Sequence, residues 1–263
     1  MLKNNMICPK CHSNLIYTNK TYKCVNNHSY DISKEGYINL LLSKTNCGDL
    51  DDSVHARREF LNKGFYDPLS NLIKDLLIKV NARKVLDCGC GVGYYSQMLS
   101  HDFEITGIDI SKNAIKLASK KDNISSYIVS SSKFIPIQKN YFDAAYVIFA
   151  PLFEESMANV LNANGYLIVV SPNTKHLFEI KEKLYQNPYL NEKVELDIKS
   201  FAHIDSLHLT YKVEMNNCDI KNLIAMTPYF YKTKKEDLEK INTIDFLNVT
   251  IDFQIDIFQK LEF

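Results

Sequence analysis

The sequence lacks several features that would place a protein in a broad class. No apolar run of roughly eighteen residues occurs among its 263 residues, so no membrane-spanning helix is predicted. The opening MLKNNMIC lacks the apolar stretch that a secretory signal needs, so a cytoplasmic setting is the default expectation. A net charge is also absent, because 31 basic residues balance 31 acidic ones. The total charge therefore argues neither for nor against a nucleic-acid partner.

Seven cysteines are present, an odd number that a reducing compartment would not assemble into a disulfide framework. Three of them stand near the N-terminus with a histidine, in the spacing C-x2-C-x12-C-x3-H: Cys8, Cys11, Cys24 and His28. Three thiolates and one imidazole suit a tetrahedral zinc ion. A thioredoxin-like redox pair would lie between a strand and a helix, whereas this C-x-x-C precedes a predicted hairpin. Zinc is therefore favoured over a redox role.

The zinc ion would be structural, because protein ligands fill all four positions and leave none for an activated water. His12 is a rival to His28, but its adjacency to Cys11 makes joint ligation awkward. Between the ligand pairs, two short strands are predicted around a turn at Thr18-Asn19-Lys20, which is a zinc-ribbon geometry. So small a lobe cannot bury a sufficient core, and metal binding would supply its folding energy.

The remainder of the chain predicts an α/β fold. A linker-like stretch over 32–53 leads into a helical segment, and short buried strands then alternate with helices. This alternation predicts a doubly wound parallel sheet covered on both faces, closed by an antiparallel pair at 207–215 and 246–258. We expect three parts, namely a ribbon lobe, a linker with a helical segment, and a catalytic domain: 1–42, 43–82 and 83–263.

A glycine-rich loop follows the first strand of this sheet, in VLDCGCGVGYY, with Gly89, Gly91 and Gly93. A dinucleotide fingerprint requires G-x-G-x-x-G, and Tyr94 stands where the third glycine would fall. No G-K-[ST] follows the loop, which excludes a Walker nucleotide site.

Two aspartates narrow the choice of cofactor. Asp87, at the end of the first strand, would repel a pyrophosphate but would suit a cation. Asp109 ends the second strand, at the spacing where a carboxylate meets a ribose diol. S-adenosylmethionine has a ribose, an ammonium and a sulfonium but no phosphate, and glycines let the backbone approach its methionine part closely. The loop therefore predicts S-adenosylmethionine, with a generic glycine-rich turn as the alternative.

These segments together resemble the 23S rRNA guanine-N1 methyltransferases of the RlmA family, which includes a tylosin-resistance branch. The matching pieces span nearly the whole chain and include CPKC…KCVNNHSYDISKEGYINLL, HARREFLNKGFYDPL, VLDCGCGVGYY and FAPLFEE. The resemblance implies a class I methyltransferase fold with an N-terminal zinc ribbon that recognises RNA. It also implies a homodimer that methylates guanine N1 in a hairpin loop of 23S rRNA. Macrolide resistance would depend on which guanine is modified.

The resemblance also implies roles for individual residues. Cys8, Cys11, Cys24 and His28 match the zinc ligands of the family. Tyr66, Gly91, Val92 and His176 match positions that contact the cofactor. Val92 stands where many relatives carry an acidic residue. If that acidic residue binds the ammonium of the cofactor, Asp87 would have to provide more of this interaction here. The residues expected at the cofactor are Tyr66, Asp87, Gly89, Gly91, Val92, Gly93, Asp109 and His176.

The acceptor side is less defined by the sequence, and no general base is evident. The Ala150 carbonyl and the turn at Pro151 are candidates to orient the target base, unless Pro151 only ends its strand. Nearby aromatic rings could stack on that base, namely those of Tyr94, Tyr95, Phe149 and Phe153. Arg57 and Arg58 could contact phosphate, although paired arginines on a helix usually form a solvated face.

Two other functions share part of this pattern. A small-molecule methyltransferase acting on metabolites or quinones would use the same loop and aspartates, but it gives no reason for a zinc ribbon. A non-catalytic RNA-binding module that only binds S-adenosylmethionine is disfavoured by the intact glycine loop and Asp109.

Overall fold

The protein is described here by a computed structural model, which covers residues 5–42, 51–227 and 229–262. Its strands are β1 (Ile16–Thr18), β2 (Thr21–Lys23), β3 (Ser29–Asp31), β4 (Ile38–Asn39), β5 (Lys84–Cys88), β6 (Glu104–Asp109), β7 (Ser126–Val129), β8 (Phe142–Ile148), β9 (Leu161–Pro172), β10 (Phe201–Asn216) and β11 (Phe246–Lys260). Its helices are α1 (Asp51–Leu61), α2 (Asp67–Lys79), α3 (Tyr94–Leu99), α4 (Lys112–Lys121), α5 (Glu154–Val160), α6 (Phe178–Leu184), α7 (Asn217–Ala225), α8 (Tyr229–Lys232) and α9 (Lys235–Glu239), with a 3-10 turn at Lys240–Thr243. In these ranges, no helix combines the length and the apolar character that a bilayer span requires.

The central sheet has eight strands in the order β10-β11-β9-β8-β5-β6-β7-β4. Neighbouring strands from β4 to β9 are parallel, whereas β11 runs antiparallel to both β9 and β10. The chain order reverses between β5 and β8, and sheets of this kind bind ligands at the carboxyl ends of the strands beside such a reversal. The predicted doubly wound sheet with a closing antiparallel pair is confirmed.

The sheet is buried on both faces, which explains why its central strands are almost continuously apolar. Strand β8 (FDAAYVI) keeps five of its seven residues buried, whereas the edge strand β10 exposes much of its length. Helices α1, α2, α3, α6 and α7 cover one face with buried side chains that include Phe60, Leu69, Leu77 and Leu223. The N-terminal ribbon covers part of the opposite face.

The ribbon is a three-stranded antiparallel sheet of β1, β2 and β3. Its predicted turn is present, with Asn19 and Lys20 in left-handed conformations at φ 50° and 64°. Leu15 and Tyr22 pack in one apolar cluster with Leu86 of the central sheet. The ribbon therefore rests on the large domain instead of projecting freely from it.

The structure differs from the expectation of a linker over 32–53. Strand β4 lies in this stretch and pairs in parallel with β7, so the chain after the ribbon joins the central sheet. A two-residue strand is too short to show an alternation of apolar and polar residues, so the sequence does not predict it. Its pairing with the neighbouring strand defines it. Residues 43–50 lie outside the described ranges, and the expected domain boundaries remain predictions.

Candidate active site and metal centre

The glycine loop connects β5 to α3 and requires glycine for both conformation and space. Gly89, Gly91 and Gly93 have φ values of 83°, 52° and 74°. A Cβ atom on Gly89 would lie 2.4 Å from the Cβ of Ala150, and one on Gly93 would lie 2.8 Å from the Tyr127 hydroxyl. The loop is therefore a tight backbone cradle at the carboxyl end of β5, in direct contact with the loop that follows β8.

Asp109 ties this loop to the end of β6. Its carboxylate accepts hydrogen bonds from the backbone amides of Gly91, at 2.9 Å, and Ser111, at 2.7 Å. A carboxylate has acceptor positions on both oxygens and can accept hydrogen bonds from hydroxyl groups as well as from amides. The geometry therefore fits a cofactor that carries a ribose diol, although the contact itself remains a prediction.

Asp87 lies beneath the loop with 2% of its surface exposed. Its carboxylate accepts a hydrogen bond of 2.6 Å from the Ser96 hydroxyl of α3. Burial raises the pKa of Asp87 to about 7, and this hydrogen bond opposes the rise. Val92, within the loop, is also buried. Direct contact of Asp87 or Val92 with the cofactor remains a prediction.

The fold brings Tyr66 and His176 together, although they are far apart in the chain. Their ring centroids are 6.5 Å apart, and the ring of Phe253 lies 5.1 Å from Tyr66 and 5.0 Å from His176. The ring of Phe149 stacks beside His176 at 5.9 Å. These four side chains form an aromatic wall beside the carboxyl ends of β8 and β9.

The protonation of His176 follows from its surroundings. Its Nδ1 accepts a hydrogen bond of 3.2 Å from the backbone amide of Asp252. Burial lowers the pKa of His176 to about 3, and the nearby charge of Asp252 only partly offsets this effect. The ring is therefore neutral at physiological pH and carries its proton on Nε2.

The four aromatic residues that were candidates to stack on the target base differ in their exposure to solvent. Tyr94 and Tyr95 are buried, and Phe153 is half-buried beneath the Lys133 ammonium. Phe149 is 46% exposed and has a φ of 54°. A left-handed conformation is uncommon for a bulky residue, and such strain concentrates at functional sites. Phe149 is thus the best placed of the four to receive a ligand.

The candidates for orienting the base, Ala150 and Pro151, follow Phe149 directly. Ala150 touches the glycine loop at Gly89, and Pro151 is exposed. The loop after β8 therefore lies between the glycine loop and solvent. The proposed roles of the Ala150 carbonyl and of Pro151 remain predictions.

The four predicted metal ligands converge at one point in the ribbon. Their ligand atoms all lie within 4.8 Å of one another: Cys8 Sγ, Cys11 Sγ, Cys24 Sγ and His28 Nδ1. Nδ1 of His28 is 3.4 Å from both Cys8 Sγ and Cys24 Sγ, and the sulfurs of Cys11 and Cys24 are 3.7 Å apart.

These distances match tetrahedral zinc. Bonds of about 2.3 Å to sulfur and about 2.0 Å to nitrogen separate two ligand sulfurs by roughly 3.8 Å and a sulfur from a nitrogen by roughly 3.5 Å. A hydrogen bond with Ser13 lowers the pKa of Cys11 to about 5, which favours the thiolate that binds metal. The rival His12 stacks on Phe134 at 5.0 Å. The donor set therefore fits one structural zinc ion.

Sequence reasoning missed a lysine that organises the loop around His176. Lys181 of α6 is 1% exposed, and its ammonium donates to the Tyr189 carbonyl at 3.0 Å and to Asn191 Oδ1 at 2.6 Å. Asn191 Nδ2 in turn donates to the carbonyls of Asn173 and His176. A signal was present, since Lys181 adjoins the buried Ile180 and precedes the buried Leu184 on the apolar side of α6.

Comparison with known proteins agrees with both parts of the structure. Residues 6–44 match the family described as RlmA, N-terminal, and residues 79–242 match a methyltransferase domain family. YxjB of Bacillus subtilis, provisionally named a 23S rRNA (guanine-N(1)-)-methyltransferase, is 28% identical over 266 residues and 94% of each chain.

The similarity to two further relatives covers different shares of this chain. The 23S rRNA (guanine(748)-N(1))-methyltransferase of Streptomyces fradiae is 29% identical over 67% of this chain and 66% of its own. The demethylmenaquinone methyltransferase of Thermotoga maritima is 27% identical over 51% of this chain and 66% of its own. The chain thus belongs to the methyltransferase domain family that matches residues 79–242, and its N-terminal ribbon matches the RlmA, N-terminal family.

Proposed function

We propose that this protein transfers a methyl group from S-adenosylmethionine to N1 of a guanine in a hairpin loop of 23S rRNA. The observation that carries the proposal is the closed four-ligand metal centre in an RlmA-type ribbon that packs on the sheet of a methyltransferase domain. The names of YxjB and of the Streptomyces fradiae relative support the same reaction.

The cofactor, when bound, supplies an electrophilic methyl group on its sulfonium. The glycine loop, Asp109 and the aromatic wall would hold it, and this positioning must bring the target nitrogen within about 3–3.5 Å of the methyl carbon. His176 does not act as the base that removes the N1 proton, because its Nδ1 already accepts from the Asp252 amide. The protein therefore contributes chiefly by alignment.

The acceptor base would lie against Phe149. Bases in a hairpin loop are unpaired, so turning one out of the loop costs less than opening a duplex. The exposed Phe149 ring, at the carboxyl end of β8 and beside the cofactor cradle, offers a face for stacking. Ala150 and Pro151 would then border the edge of the base.

The proposal is tested by incubating the purified protein with tritiated S-adenosylmethionine and deproteinised 23S rRNA. We expect tritium in the RNA and N1-methylguanosine in a nuclease digest analysed by mass spectrometry. Binding of the cofactor with no methyl transfer to the RNA would instead favour the non-catalytic module.

A small-molecule substrate is tested in the same assay by replacing the RNA with demethylmenaquinone. The similarity to the quinone enzyme extends over only 51% of this chain, and the ribbon match at 6–44 has no place in that function. Methylation of the quinone and not of the RNA would overturn the proposal.

The proposal includes a homodimer and a cytoplasmic setting. The family resemblance supports the dimer, and an rRNA substrate supports a setting where ribosomes are assembled. Light scattering after gel filtration should give twice the 30.3 kDa of one chain. A mass of one chain at all concentrations would remove the dimer from the proposal.

A further inference from the structure

Helix α1 places the guanidinium of Arg57 over the open side of the glycine loop. Its Nη1 lies 3.7 Å and its Cδ 3.8 Å from the point that a Cβ on Gly91 would occupy. No other heavy atom of the described ranges, apart from the chain immediately around Gly91, lies within 4 Å of that point. The space beside Gly91 is therefore bordered by a positive charge.

The two arginines of α1 occupy different environments. Arg57 is half-buried, and its Nη2 donates to the Met226 carbonyl at 3.4 Å, just after α7. Arg58 pairs with its exposed neighbour Glu59 at 3.0 Å. Arg58 is half-buried as well, but its guanidinium pairs with a surface carboxylate, whereas the guanidinium of Arg57 borders the glycine loop.

Four backbone amides of the glycine loop are already engaged in hydrogen bonds. The amides of Gly89 and Cys90 donate to the Ile108 carbonyl, and the amide of Gly93 donates to the Cys90 carbonyl. The amide of Gly91 donates to Asp109. An anionic group beside Gly91 cannot use these four amides, whereas a cationic side chain at this point can bind it.

S-adenosylmethionine carries such an anion, the α-carboxylate of its methionine part. Asp87 and Asp109 would repel this carboxylate, while the planar guanidinium of arginine binds carboxylates through paired, charge-assisted hydrogen bonds. We propose that Arg57 binds the α-carboxylate of the cofactor. The inference deepens the proposed function and rests on it for the identity of the cofactor.

The test compares two ligands that differ only in this carboxylate. Isothermal titration calorimetry measures the affinity of S-adenosylhomocysteine and of its decarboxylated analogue, S-adenosyl-3-thiopropylamine. Arg57→Gln should weaken S-adenosylhomocysteine binding by about 10- to 100-fold, since charge-assisted hydrogen bonds of this kind are lost. The same change should leave the affinity of the decarboxylated analogue within about twofold.

Arg58→Gln is the matched control, because it removes the same charge from the adjacent position of the same helix. It should leave the affinities of both ligands unchanged. Equal weakening of both ligands by Arg57→Gln would overturn the inference, because Arg57 would then act only by anchoring α1 to Met226. Unchanged S-adenosylhomocysteine affinity would also overturn it.

A second variant covers the case in which Arg57→Gln does not fold. Arg57→Lys keeps the charge but not the paired geometry, and it should weaken S-adenosylhomocysteine selectively and by less than Arg57→Gln. No selectivity between the two ligands in this variant would contradict the inference. Failure of the wild-type protein to bind S-adenosylhomocysteine would refute the proposed function itself. If the Arg57 variants weaken S-adenosylhomocysteine selectively but the wild-type protein does not methylate RNA, the role of Arg57 stands and only the RNA substrate is refuted.

Discussion

Burial shifts two titratable residues of the site toward their neutral forms. Desolvation raises the pKa of Asp87 to about 7 and lowers the pKa of His176 to about 3. His176 thus stays neutral across the physiological range, whereas Asp87 changes its charge within it. Asp87 is therefore the residue through which pH would act on cofactor binding.

We predict that S-adenosylhomocysteine binds more tightly as the pH rises from 6 to 8. Below its folded pKa of about 7, Asp87 is protonated and exerts no attraction on the ammonium of the ligand. Above that pKa it is ionised, so binding is favoured and releases protons at intermediate pH. The groups that act on Asp87 are Ser96 of α3, Tyr146 of β8 and the Asp109 carboxylate of β6, and all three are present in both ligand states.

Calorimetry across this range, in two buffers of different ionisation enthalpy, measures both the affinity and the proton release. Asp87→Asn should flatten the pH dependence. An affinity that does not change with pH in the wild-type protein would show that Asp87 does not interact with the ammonium.

Phe149 gives a prediction on the acceptor side. Phe149→Leu should lower the single-turnover rate at subsaturating RNA by about 5- to 150-fold, because base stacking on an aromatic ring contributes about 1–3 kcal/mol. Phe149→Trp should retain most of the rate. The matched control is Phe246→Leu, at a residue that is 66% exposed at the start of β11. A rate that is the same for leucine and tryptophan at position 149 would exclude stacking.

The secondary-structure elements differ in how far the sequence determines them. The alternation of β5 through β9 with helices was predictable, because strands buried on both faces are apolar throughout. Helices α8 and α9, of four and five residues, carry too few positions to show a helical period. The orientation of α1 was not predictable either, because only its packing against α7 distinguishes Arg57 from Arg58.

The candidate site likewise contains parts that the sequence predicts and parts that only the fold reveals. The glycine loop, Asp109 and the metal ligands follow from local spacing, and the structure brings each group together. The meeting of Tyr66 with His176 depends on the packing of distant segments, and only the family resemblance indicated it. The burial of Asp87 and the exposure of Phe149 could not be predicted from local sequence, because both depend on the three-dimensional fold.

Lys181 of helix α6 stabilises the segment around Asn191 by hydrogen bonds, and its removal gives a testable prediction. Lys181→Met should lower the free energy of unfolding by about 1–3 kcal/mol, because two partly buried acceptors lose their charged donor. It should also weaken S-adenosylhomocysteine binding, since Asn191 holds the carbonyl of His176. Urea denaturation and calorimetry measure the two effects. Lys183→Met, at an exposed position of α6, is the control, and equal stability of the two variants would contradict the role of Lys181.

At the scale of the whole molecule, the ribbon is joined to the large domain by backbone contacts. The amide of Ile7 donates to the Pro136 carbonyl at 3.0 Å, and the amide of Gln138 donates to the Asn5 carbonyl at 2.9 Å. Strand β4 then continues the central sheet. The ribbon and the candidate cofactor site therefore share one framework, while the four metal ligands all lie within the ribbon.

We predict that loss of zinc separates RNA binding from cofactor binding. The wild-type protein should contain one zinc ion per chain by elemental analysis, and Cys24→Ser should abolish it. Because binding supplies about 10–16 kcal/mol of folding energy to small zinc lobes, the ribbon should unfold. Affinity for the rRNA hairpin should then fall, while S-adenosylhomocysteine affinity persists. Cys218→Ser, at an exposed cysteine outside the ribbon, should change neither. Full RNA affinity in a zinc-free protein would refute the role of the ribbon.

The most direct measurement is mass mapping of 23S rRNA after incubation with the protein and S-adenosylmethionine that carries a deuterated methyl group. The account predicts one labelled N1-methylguanosine in a fragment that contains a hairpin loop, produced by the wild-type protein and by Cys218→Ser but not by Cys24→Ser. An absence of labelled guanine from the RNA, with cofactor binding intact, would contradict it.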